Sequence, residues 1–181
     1  MLFAFGHRRR AGKDTACNFC VTHARATTKR QLIVKAAFAD KMKAMCHELY
    51  GWAGLREGSY YDEYPEFKDQ LIPALGKTPR QIYIEFGTSV GRSIYTDTWL
   101  KFVLHLKADQ KYISDLRYPN EGTAVLEAGG QVWRIDNPRI AMHDDVADSA
   151  MVGFKDWTGV VVNDSDLHTF HTRVLKAVFN V

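Results

Sequence analysis

The sequence predicts an α/β domain with three layers, in which a parallel sheet is covered by helices on both faces. Five short apolar runs, rich in Val, Ile and aromatic residues, are too short for helices and are typical of strands buried on both faces. Segments with helical spacing lie between these runs, and this alternation implies parallel strands joined by right-handed crossovers. With 181 residues and 46% hydrophobic side chains, the chain can bury a sizeable core.

The predicted strands and helices follow one another along the whole chain. The strands are predicted at residues 2–5, 31–37, 111–114, 131–135 and 159–162. The helices are predicted at residues 15–27, 40–50, 79–92, 97–107, 121–128 and 167–179. Because no internal repeat, low-complexity tract or Pro/Gly/Ser linker divides these segments, we expect a single domain over residues 1–181.

The helix predicted at residues 79–92 has the clearest start. Thr78 suits the N-cap, Pro79 fits the first helical position and Gln81 completes a capping box. Arg80 lies in the first turn, where free backbone N–H groups favour an anion. The apolar stripe expected to pack inward consists of Ile82, Phe86 and Val90, and the glycines that would admit a close approach are Gly87 and Gly91.

The composition excludes several classes of protein. The charged fraction of 25% is ordinary, which excludes wholesale disorder, and no apolar run reaches the roughly 20 residues that span a bilayer. The N-terminus lacks a basic region ahead of its apolar stretch, so we expect no signal peptide and a cytoplasmic protein. Cys17, Cys20 and Cys46 have neither disulfide-framework nor zinc-site spacing, and we expect small buried side chains in a reducing compartment.

The strongest functional signal is the turn after the first predicted strand, Gly6-His-Arg-Arg-Arg-Ala-Gly12-Lys13-Asp-Thr. A strand, a glycine-containing loop, Gly-Lys and a helix form the context of a phosphate-binding loop. Backbone N–H groups of the loop and of the helix N-terminus would point at phosphate oxygens, and Lys13 would reach the β- and γ-oxygens as a point charge. Gly12 permits a backbone conformation that a side chain would block.

Two positions depart from the template G-x-x-x-x-G-K-[ST]. The first glycine of the template falls on His7, with Gly6 one residue early, and Asp14 occupies the Ser/Thr position that helps to hold Mg²⁺, with Thr15 after it. The alternative interpretation is a basic strand–helix turn without a ligand, in which the three successive arginines form a solvated charge run rather than a positive field for phosphates. The net charge of +3 is too mild to imply a nucleic-acid partner by itself.

Further motifs occur in a fixed order along the chain. They are Gly12-Lys13-Asp14-Thr15, Phe38-Ala39-Asp40, Thr78-Pro79-Arg80-Gln81, Gly87-Thr88, Arg92, Asp97-x-Trp99, Ser114-Asp115-x-Arg117-x-Pro119-Asn120-Glu121 and Gly129-Gly130. In order and spacing, over nearly the whole chain, they resemble the bacteriophage-type deoxynucleoside monophosphate kinases, a branch of the P-loop NMP kinases.

The resemblance implies both a fold and a reaction. The fold would be a three-layer P-loop NTPase fold with a five-stranded parallel sheet, an NMP-binding helical insertion at residues 51–107 between core segments at 1–50 and 108–181, and a short lid at 136–157. The reaction would transfer the γ-phosphoryl group of ATP to a deoxynucleoside 5′-monophosphate, giving a diphosphate and ADP for DNA precursor synthesis, in the host cytoplasm if the chain is phage-encoded. Residues 146–149 replace a His-x-Ser/Thr-Glu element that the family tends to show in its lid.

On this resemblance, ATP and Mg²⁺ are the expected cofactors. The residues assigned to ATP are Gly6, Arg10, Gly12, Lys13, Asp14 and Thr15. The residues assigned to Mg²⁺ are Thr15, Asp14 and Asp115, although Asp115 could instead cap the helix that follows it. The residues expected to act on the transferring phosphoryl group are Lys13, Arg117, Arg134 and Arg139, each of the last three having a surface charge or ion pair as its alternative.

Arg80 is the leading candidate for the acceptor phosphate, because a planar guanidinium can grip two phosphate oxygens at once. The alternative is a surface arginine at a helix start. The residues assigned to the dNMP are Asp40, Arg80, Thr88, Arg92, Trp99, Asp115 and Arg117. Structural alternatives stay open for four of them: Asp40 as a helix cap, Trp99 as a core residue, and Arg92 and Arg117 as ion-pair partners of Asp97 and Glu121.

Two other functions remain open at this point. A P-loop kinase for another small acceptor, such as dephospho-coenzyme A, would share the fold and differ in the insertion. A basic nucleic-acid-binding module would use the arginine run and the aromatic residues, although these are scattered. We expect ATP and a dNMP as partners, no stable nucleic acid, no membrane, and a monomer or homodimer, while the preferred base is undecided.

Overall fold

Five parallel strands form one sheet with the spatial order β2-β3-β1-β4-β5. The strands are β1 (Leu2–Gly6), β2 (Ile33–Ala36), β3 (Gln110–Leu116), β4 (Gln131–Asp136) and β5 (Gly159–Val162). The computed structural model describes residues 1–140 and 150–181. The α/β fold class is therefore confirmed, and each of the five predicted strands is found, with ends that shift by one or two residues.

Helices cover the sheet and also form a separate group. The α-helices are α1 (Lys13–Thr27), α2 (Asp40–Tyr50), α3 (Gly58–Glu63), α4 (Pro79–Glu85), α5 (Arg92–Ile94), α6 (Thr98–Leu104), α7 (Pro119–Glu127) and α8 (Leu167–Phe179). Short 3₁₀ segments occupy Gly51–Ala53 and Pro65–Asp69, and a π-helical segment occupies Phe86–Gly91. The chain divides into two compact units: a sheet unit formed by residues 1–37 and 106–181, and a helical unit formed by residues 38–105.

The sheet unit has helices on both faces of its sheet. Phe3 and Phe5 of β1 are buried with residues of α1 and α8, and the Phe3 ring stacks on Tyr112 of β3 with ring centroids 5.0 Å apart. Ala4, between the two phenylalanines, is also fully buried and points to the opposite face, where α7 packs on β1 and β4. Near-continuous burial of a strand therefore reflects cover on both sides, as the apolar runs predicted.

The helical unit has its own core. Buried residues from α2, α3, α4 and the loops between them pack together: they are Met42, Cys46, Leu55, Tyr61, Ile72, Ile82 and Tyr83. The start of α4 is capped as expected, because the Thr78 side chain accepts a hydrogen bond from Gln81 N and the Gln81 side chain accepts one from Thr78 N. The helix start predicted from the Thr78 and Gln81 capping box is therefore confirmed by two hydrogen bonds.

Residues 79–92 are helical as predicted, but the second half is not an α-helix, and the apolar stripe predicted through Val90 is wrong there. The α-helix ends at Glu85 and continues as the π-helical segment, in which each turn contains about one residue more than in an α-helix because its hydrogen bonds run from i to i+5. Ile82, before this segment, is buried and Phe86 is half-buried, but the extra residue rotates the side chains that follow, and Val90 is 45% exposed. Gly91 is buried and takes the inward position instead.

Residues 141–149 of the predicted lid, including the departure at 146–149, lie outside the described residues. At the far end of that region Met151 and Phe154 are buried, with Phe154 packed edge-on against Trp157 at a centroid distance of 5.1 Å. Among the helices that the structure describes, none combines the length and apolar character needed to cross a bilayer.

Candidate functional site

The carboxyl ends of the strands define one edge of the sheet, and β1 lies at its centre. In the pairing register Gly6, the last residue of β1, is opposite Leu116 of β3 on one side and Arg134 of β4 on the other. The chain runs from β1 outward to β2 on one side and later returns to β4 on the other, so the strand order reverses at β1. Ligands of parallel α/β sheets bind outside the carboxyl ends of the strands at such a reversal.

Residues 7–12, the loop predicted to bind phosphate and therefore called the phosphate loop, connect β1 to α1 at this edge. Three residues of the loop have left-handed backbone conformations: His7 with φ 98°, Arg10 with φ 61° and Gly12 with φ 103°. Backbone conformations of this kind recur in loops whose N–H groups bind an anion. His7 thus adopts the backbone conformation for which the template has a glycine.

Gly12 is required at its position by both conformation and space. Besides its positive φ, a Cβ atom built on Gly12 would lie 2.6 Å from Nδ2 of Asn163. That amide group donates a hydrogen bond to the carbonyl oxygen of Ala11 at 3.0 Å, so the residue directly after β5 fixes the loop from the side. This hydrogen bond ties the loop to the end of β5.

Lys13, the first residue of α1, is only 6% exposed. Its ammonium group donates a hydrogen bond to the carbonyl oxygen of Arg8, so the side chain folds back over the phosphate loop. Asp14 is exposed and forms an ion pair with Lys35 at 3.5 Å, and Thr15 is half-buried. Of these three side chains, only Lys13 is buried, and it lies at the N-terminus of α1, the end of a helix that favours an anion.

A bulge interrupts the pairing of β3 with β1 near the end of both strands. Ala4 is opposite Ile113 whereas Gly6 is opposite Leu116, so β3 uses three residues where β1 uses two. Such bulges re-aim a side chain and are frequent beside active sites. Asp115 lies in this bulge and is half-buried, one residue before the end of the strand rather than at its end.

After β3 the chain is held by a buried carboxylate. Glu121, which is 5% exposed, accepts hydrogen bonds from the backbone N–H groups of Arg117 and Tyr118 at 2.9 and 3.1 Å. These bonds fix the backbone from which the exposed Arg117 side chain projects. Glu121 therefore stabilises the start of α7 and fixes the backbone between β3 and this helix.

The end of β4 carries a polar group that sequence reasoning missed. Nη2 of Arg134 donates to Oδ2 of Asp136 at 2.9 Å, and Nδ1 of His7 lies 3.5 Å from the other oxygen of the same carboxylate. Burial and the positive charge of Arg134 lower the pKa of His7 to about 4, with Arg8 acting in the same direction, while Asp136 and a hydrogen bond with the backbone of Ile135 oppose this shift. The imidazole is therefore neutral at pH 7.

Arg139 follows β4 on the exposed surface. Its Nη2 donates to the carbonyl oxygen of Ser165 at 3.2 Å, and its backbone N–H donates to the Asn137 side chain at 3.0 Å. It lies beyond Asn137, whereas Arg134 lies in the strand itself beside Gly6. Of the two arginines predicted to flank the lid, Arg134 is the one paired directly with the last residue of β1.

The remaining predicted site residues belong to the helical unit. Arg80 in the first turn of α4 holds Asp69 with two parallel hydrogen bonds, Nε to Oδ1 at 2.6 Å and Nη2 to Oδ2 at 3.0 Å. This is the fork geometry in which a guanidinium binds a carboxylate or a phosphate. Thr88 in the π-helical segment is exposed, and Arg92 at the start of α5 is half-buried.

Asp40 and Trp99 differ in their surroundings. Asp40 is the exposed first residue of α2 and lines a cavity of about 540 Å³ within the helical unit, together with His47, Glu57 and other polar residues. Trp99 is half-buried against the core, and its indole N–H donates to the carbonyl oxygen of Gly87 at 3.0 Å. A Cβ atom on Gly91 would lie 2.6 Å from Cε2 of Trp99, so Gly91 is the glycine of the segment that admits the indole ring.

The residues present fit a nucleotide phosphate and a hard divalent cation. The phosphate loop offers three left-handed backbone positions, a helix N-terminus and a buried lysine. Thr15, Asp14 and Asp115 offer hydroxyl and carboxylate oxygens, which are the donors that Mg²⁺ prefers. In residues 1–140 and 150–181 no group of three or more His, Cys, Asp or Glu side chains could hold a metal by itself. A cation here would therefore share its ligands with a substrate phosphate, as Mg²⁺ commonly does.

Four residues at the sheet edge were missed by the sequence reasoning: His7 as a side chain, Asp136, Trp157 and Asn163. A usable signal exists for two of them, because Asp136 is the last residue of β4 and Asn163 directly follows β5. Polar residues at the carboxyl ends of parallel strands share one edge, so the strand predictions alone could have placed these two beside Gly6.

Comparison with known proteins gives one informative similarity. A protein of Acanthamoeba polyphaga mimivirus named "Putative deoxynucleotide monophosphate kinase" is 25% identical to the chain over 187 aligned positions, which cover 94% of this chain and 92% of that protein. No family model matches the chain. Because it covers 94% of the chain, the similarity extends into both units.

Proposed function

We propose that the chain is a deoxynucleoside monophosphate kinase that uses ATP and Mg²⁺. The observation that carries this proposal is the phosphate loop, which joins the central strand of a parallel sheet to a helix N-terminus and combines three left-handed backbone positions with a buried lysine. A parallel sheet with this loop supports a nucleotide phosphate donor. The similarity over 94% of the chain to a protein named as a kinase of deoxynucleotide monophosphates supports the acceptor class.

The reaction needs positioning and charge rather than an acid–base pair. A phosphate oxygen of the acceptor attacks the γ-phosphorus of ATP, the bond to the β,γ-bridging oxygen breaks, and ADP leaves with that electron pair. The acceptor phosphate is already ionised at pH 7, so no proton has to be removed. Lys13 would leave the Arg8 carbonyl and bind the β- and γ-oxygens, with Gly6, Arg10 and Gly12 shaping the loop around them.

The arginines of the sheet unit would offset charge that develops during transfer. Arg134 is fixed by Asp136 beside Gly6, Arg117 projects from a backbone held by Glu121, and Arg139 lies on the surface after β4. Guanidinium groups aimed at a transferring phosphoryl group contribute large rate factors. Arg134 is the best positioned of the three, because it lies in β4 next to the phosphate loop.

Thr15, Asp14 and Asp115 would hold Mg²⁺, directly or through water. When bound, the cation would offset part of the negative charge of the donor phosphates. Asp115 lies half-buried in the bulge of β3, and Asp14 lies in the first turn of α1, where it pairs with Lys35.

The helical unit would bind the acceptor. Arg80 presents a fork of two N–H groups that now hold the carboxylate of Asp69. A phosphate could take the place of this carboxylate, because each anion offers two oxygen atoms at a spacing that suits the fork. The other residues assigned to the acceptor are Asp40, Thr88, Arg92 and Trp99 from this unit, with Asp115 and Arg117 from the sheet unit. The insertion at residues 51–107, the flanking core segments and the lid at 136–157 belong to this proposal.

The test is ADP release from ATP and Mg²⁺ in the presence of dAMP, dCMP, dGMP, dTMP and their ribose counterparts. We expect turnover with at least one deoxynucleotide and its loss, by about 1,000-fold, in Lys13→Ala, because one preorganised charge on the transferring group is worth roughly that factor. Lys29→Ala, an exposed lysine after α1, is the matched control and keeps full activity.

The outcome distinguishes the candidate functions. Turnover with a deoxynucleotide that is lost in Lys13→Ala supports the proposal and names the base. Turnover with dephospho-coenzyme A but with no nucleotide would replace the acceptor and keep the donor site. ADP release that does not depend on any acceptor, or survives in Lys13→Ala, contradicts the kinase assignment.

A further inference from the structure

His7 keeps a backbone conformation that costs free energy. Its φ of 98° lies in the region that glycine adopts freely and that other residues seldom adopt. A strained residue of this kind persists only when its surroundings hold it, and it is found mostly at functional sites. Glycine would occupy the position without this cost, so the side chain itself must supply something that glycine cannot.

The imidazole ring of His7 is enclosed on several sides. The residue is 4% exposed, and the ring lies edge-on to Trp157 with centroids 6.3 Å apart. Trp157 also packs against Gly6, where a Cβ atom would lie 2.9 Å from the indole ring. The glycine that stands one residue early in the loop therefore makes room for the wall of the histidine pocket.

One face of this pocket is a shared carboxylate. Asp136 binds Arg134 through Oδ2 at 2.9 Å and faces Nδ1 of His7 through Oδ1 at 3.5 Å. Within residues 1–140 and 150–181, neither His7 Nδ1 nor Arg134 Nε has a hydrogen-bond partner, although both atoms are buried. The carboxylate is thus the group through which His7 and Arg134 act on each other.

Charge explains why a histidine suits this place. The charged groups that face the ring are Arg134 and Asp136 from β4 and Arg8 from the phosphate loop. A lysine or arginine at position 7 would compete with Arg134 for Asp136, whereas a neutral imidazole fills the space and leaves the carboxylate to Arg134. The neutral ring therefore packs against Asp136 without competing with Arg134 for the carboxylate.

We propose that His7 is a positioning residue: by packing against Trp157 and Asp136, it holds the Asp136–Arg134 pair and so keeps the Arg134 guanidinium beside the phosphate loop. The proposal rests on the proposed function for the reaction that Arg134 serves, but the arrangement itself is independent of turnover. His7 makes and breaks no bond in this role. Its effect reaches the phosphoryl group only through Arg134.

The first experiment observes Arg134 directly and needs no activity. In a ¹⁵N–¹H spectrum of the full chain at pH 7, the buried Nε–H of Arg134 gives a signal that is protected from solvent exchange, assigned by its loss in Arg134→Lys. We expect this signal to broaden or vanish in His7→Gly and to persist in His7→Asn, because Asn tolerates positive φ and its amide nitrogen can take the place of Nδ1. His168→Asn, on the exposed face of α8, is the matched control and leaves the signal unchanged.

The second experiment tests the functional link with a double-mutant cycle. We expect His7→Gly to lower kcat by about 10- to 100-fold, a range typical of misplaced catalytic groups, with the KM of the dNMP nearly unchanged. His7→Asn recovers most of this loss. In the Arg134→Lys background His7→Gly causes no further loss, because a residue that acts through Arg134 has nothing left to position.

Each result decides the proposal. An Arg134 signal that is the same in His7→Gly as in the unaltered chain would overturn it, as would additive losses of kcat in the double variant. Because His7→Gly restores the template's glycine, a histidine without a role predicts unchanged or higher kcat and thermal stability, which would also overturn it. If the unaltered chain shows no turnover, the proposed function fails, while the spectrum still decides whether His7 holds Arg134.

Discussion

The two units of this chain hold their charged residues in different ways. In the sheet unit Lys13, Asp115 and Arg134 stand at strand ends or at the helix that follows, and their positions are set by the pairing register of a buried sheet. In the helical unit Arg80 stands on a helix of seven residues and is held by an exposed ion pair with Asp69. An exposed ion pair contributes little stability, so it can be exchanged for another anion at small cost.

This difference matches the two tasks of a phosphoryl transfer. Stabilising a transition state requires groups that are already in place, because reorganisation at that moment raises the barrier. Binding and releasing an acceptor requires a cation that can change partners. The sheet unit has the first property and Arg80 has the second. The comparison therefore predicts that substitutions in the two units affect different kinetic constants.

The largest expected effect that separates the units is on the KM of the acceptor. We expect Arg80→Ala to raise the KM for the dNMP by about 10- to 100-fold, the value of one or two charge-assisted hydrogen bonds, with a much smaller change in kcat. Arg80→Lys keeps the charge but loses the fork and should fall between the two. Initial-rate kinetics over a range of dNMP concentrations measure both constants.

Asp69→Asn is the matched control for Arg80. It removes the competing carboxylate and should leave the KM for the dNMP unchanged or lower it. If Asp69→Asn raises this KM as much as Arg80→Ala does, the ion pair is structural and Arg80 does not bind the acceptor. If Arg80→Ala lowers kcat as strongly as Lys13→Ala, the division of tasks between the units is wrong.

The next effect is on stability and concerns Gly91 in the helical unit. A Cβ atom there would meet the Trp99 ring, which is held by the hydrogen bond to Gly87. We expect Gly91→Ala to lower the free energy of unfolding by about 1–3 kcal/mol, the usual cost of overpacking. Gly87→Ala is the matched control in the same segment, because its Cβ atom would meet neighbours no closer than 3.8 Å.

Urea unfolding of the two glycine variants measures this difference. Equal stabilities would mean that the indole ring moves freely, and Trp99 would then be available to stack on a ligand rather than fixed in the core. A loss confined to Gly91→Ala supports the core alternative for Trp99. The result thus decides between the two interpretations that the sequence left open.

Much of the fold could be predicted because strands buried on both faces leave a strong signal. Each of the five predicted strands is present, and the capping box at Thr78 appears as a pair of hydrogen bonds. The π-helical segment could not be predicted, because its sequence still matches an i, i+4 spacing. The change of helix type appears instead in which side chains are buried: Val90 is exposed and Gly91 is buried.

The site was predictable where it is local in sequence. The Gly12-Lys13 pair predicts that Lys13 lies at the start of the helix after β1, because the loop and the helix start are adjacent along the chain. The pocket around His7 could not be predicted in the same way, because it depends on which strand lies beside β1. Only the order β3-β1-β4 brings Asp136 to His7, and only the return of the chain through β5 brings Trp157 and Asn163 to the loop.

The smallest expected effect concerns acid stability and again separates the units, because it belongs to the sheet unit alone. His7 has a pKa of about 4 in the folded protein and an ordinary value of 6.5 when unfolded. Between these values the unfolded state binds more protons, so the contribution of the neutral ring is fully present above pH 6.5. It is lost as the pH falls toward 4, at a slope of at most about 1.4 kcal/mol per pH unit.

His7→Asn removes this titration while keeping a polar side chain in the pocket, and all other acid-titrating groups remain in both proteins. We therefore expect the free energy of unfolding to fall more steeply between pH 6.5 and 4 in the unaltered chain than in His7→Asn, as measured by urea unfolding at several pH values. Parallel curves would show that His7 titrates alike in both states. The imidazole would then be reachable by water, and the closed pocket that restrains Asp136 and Arg134 would not exist in solution.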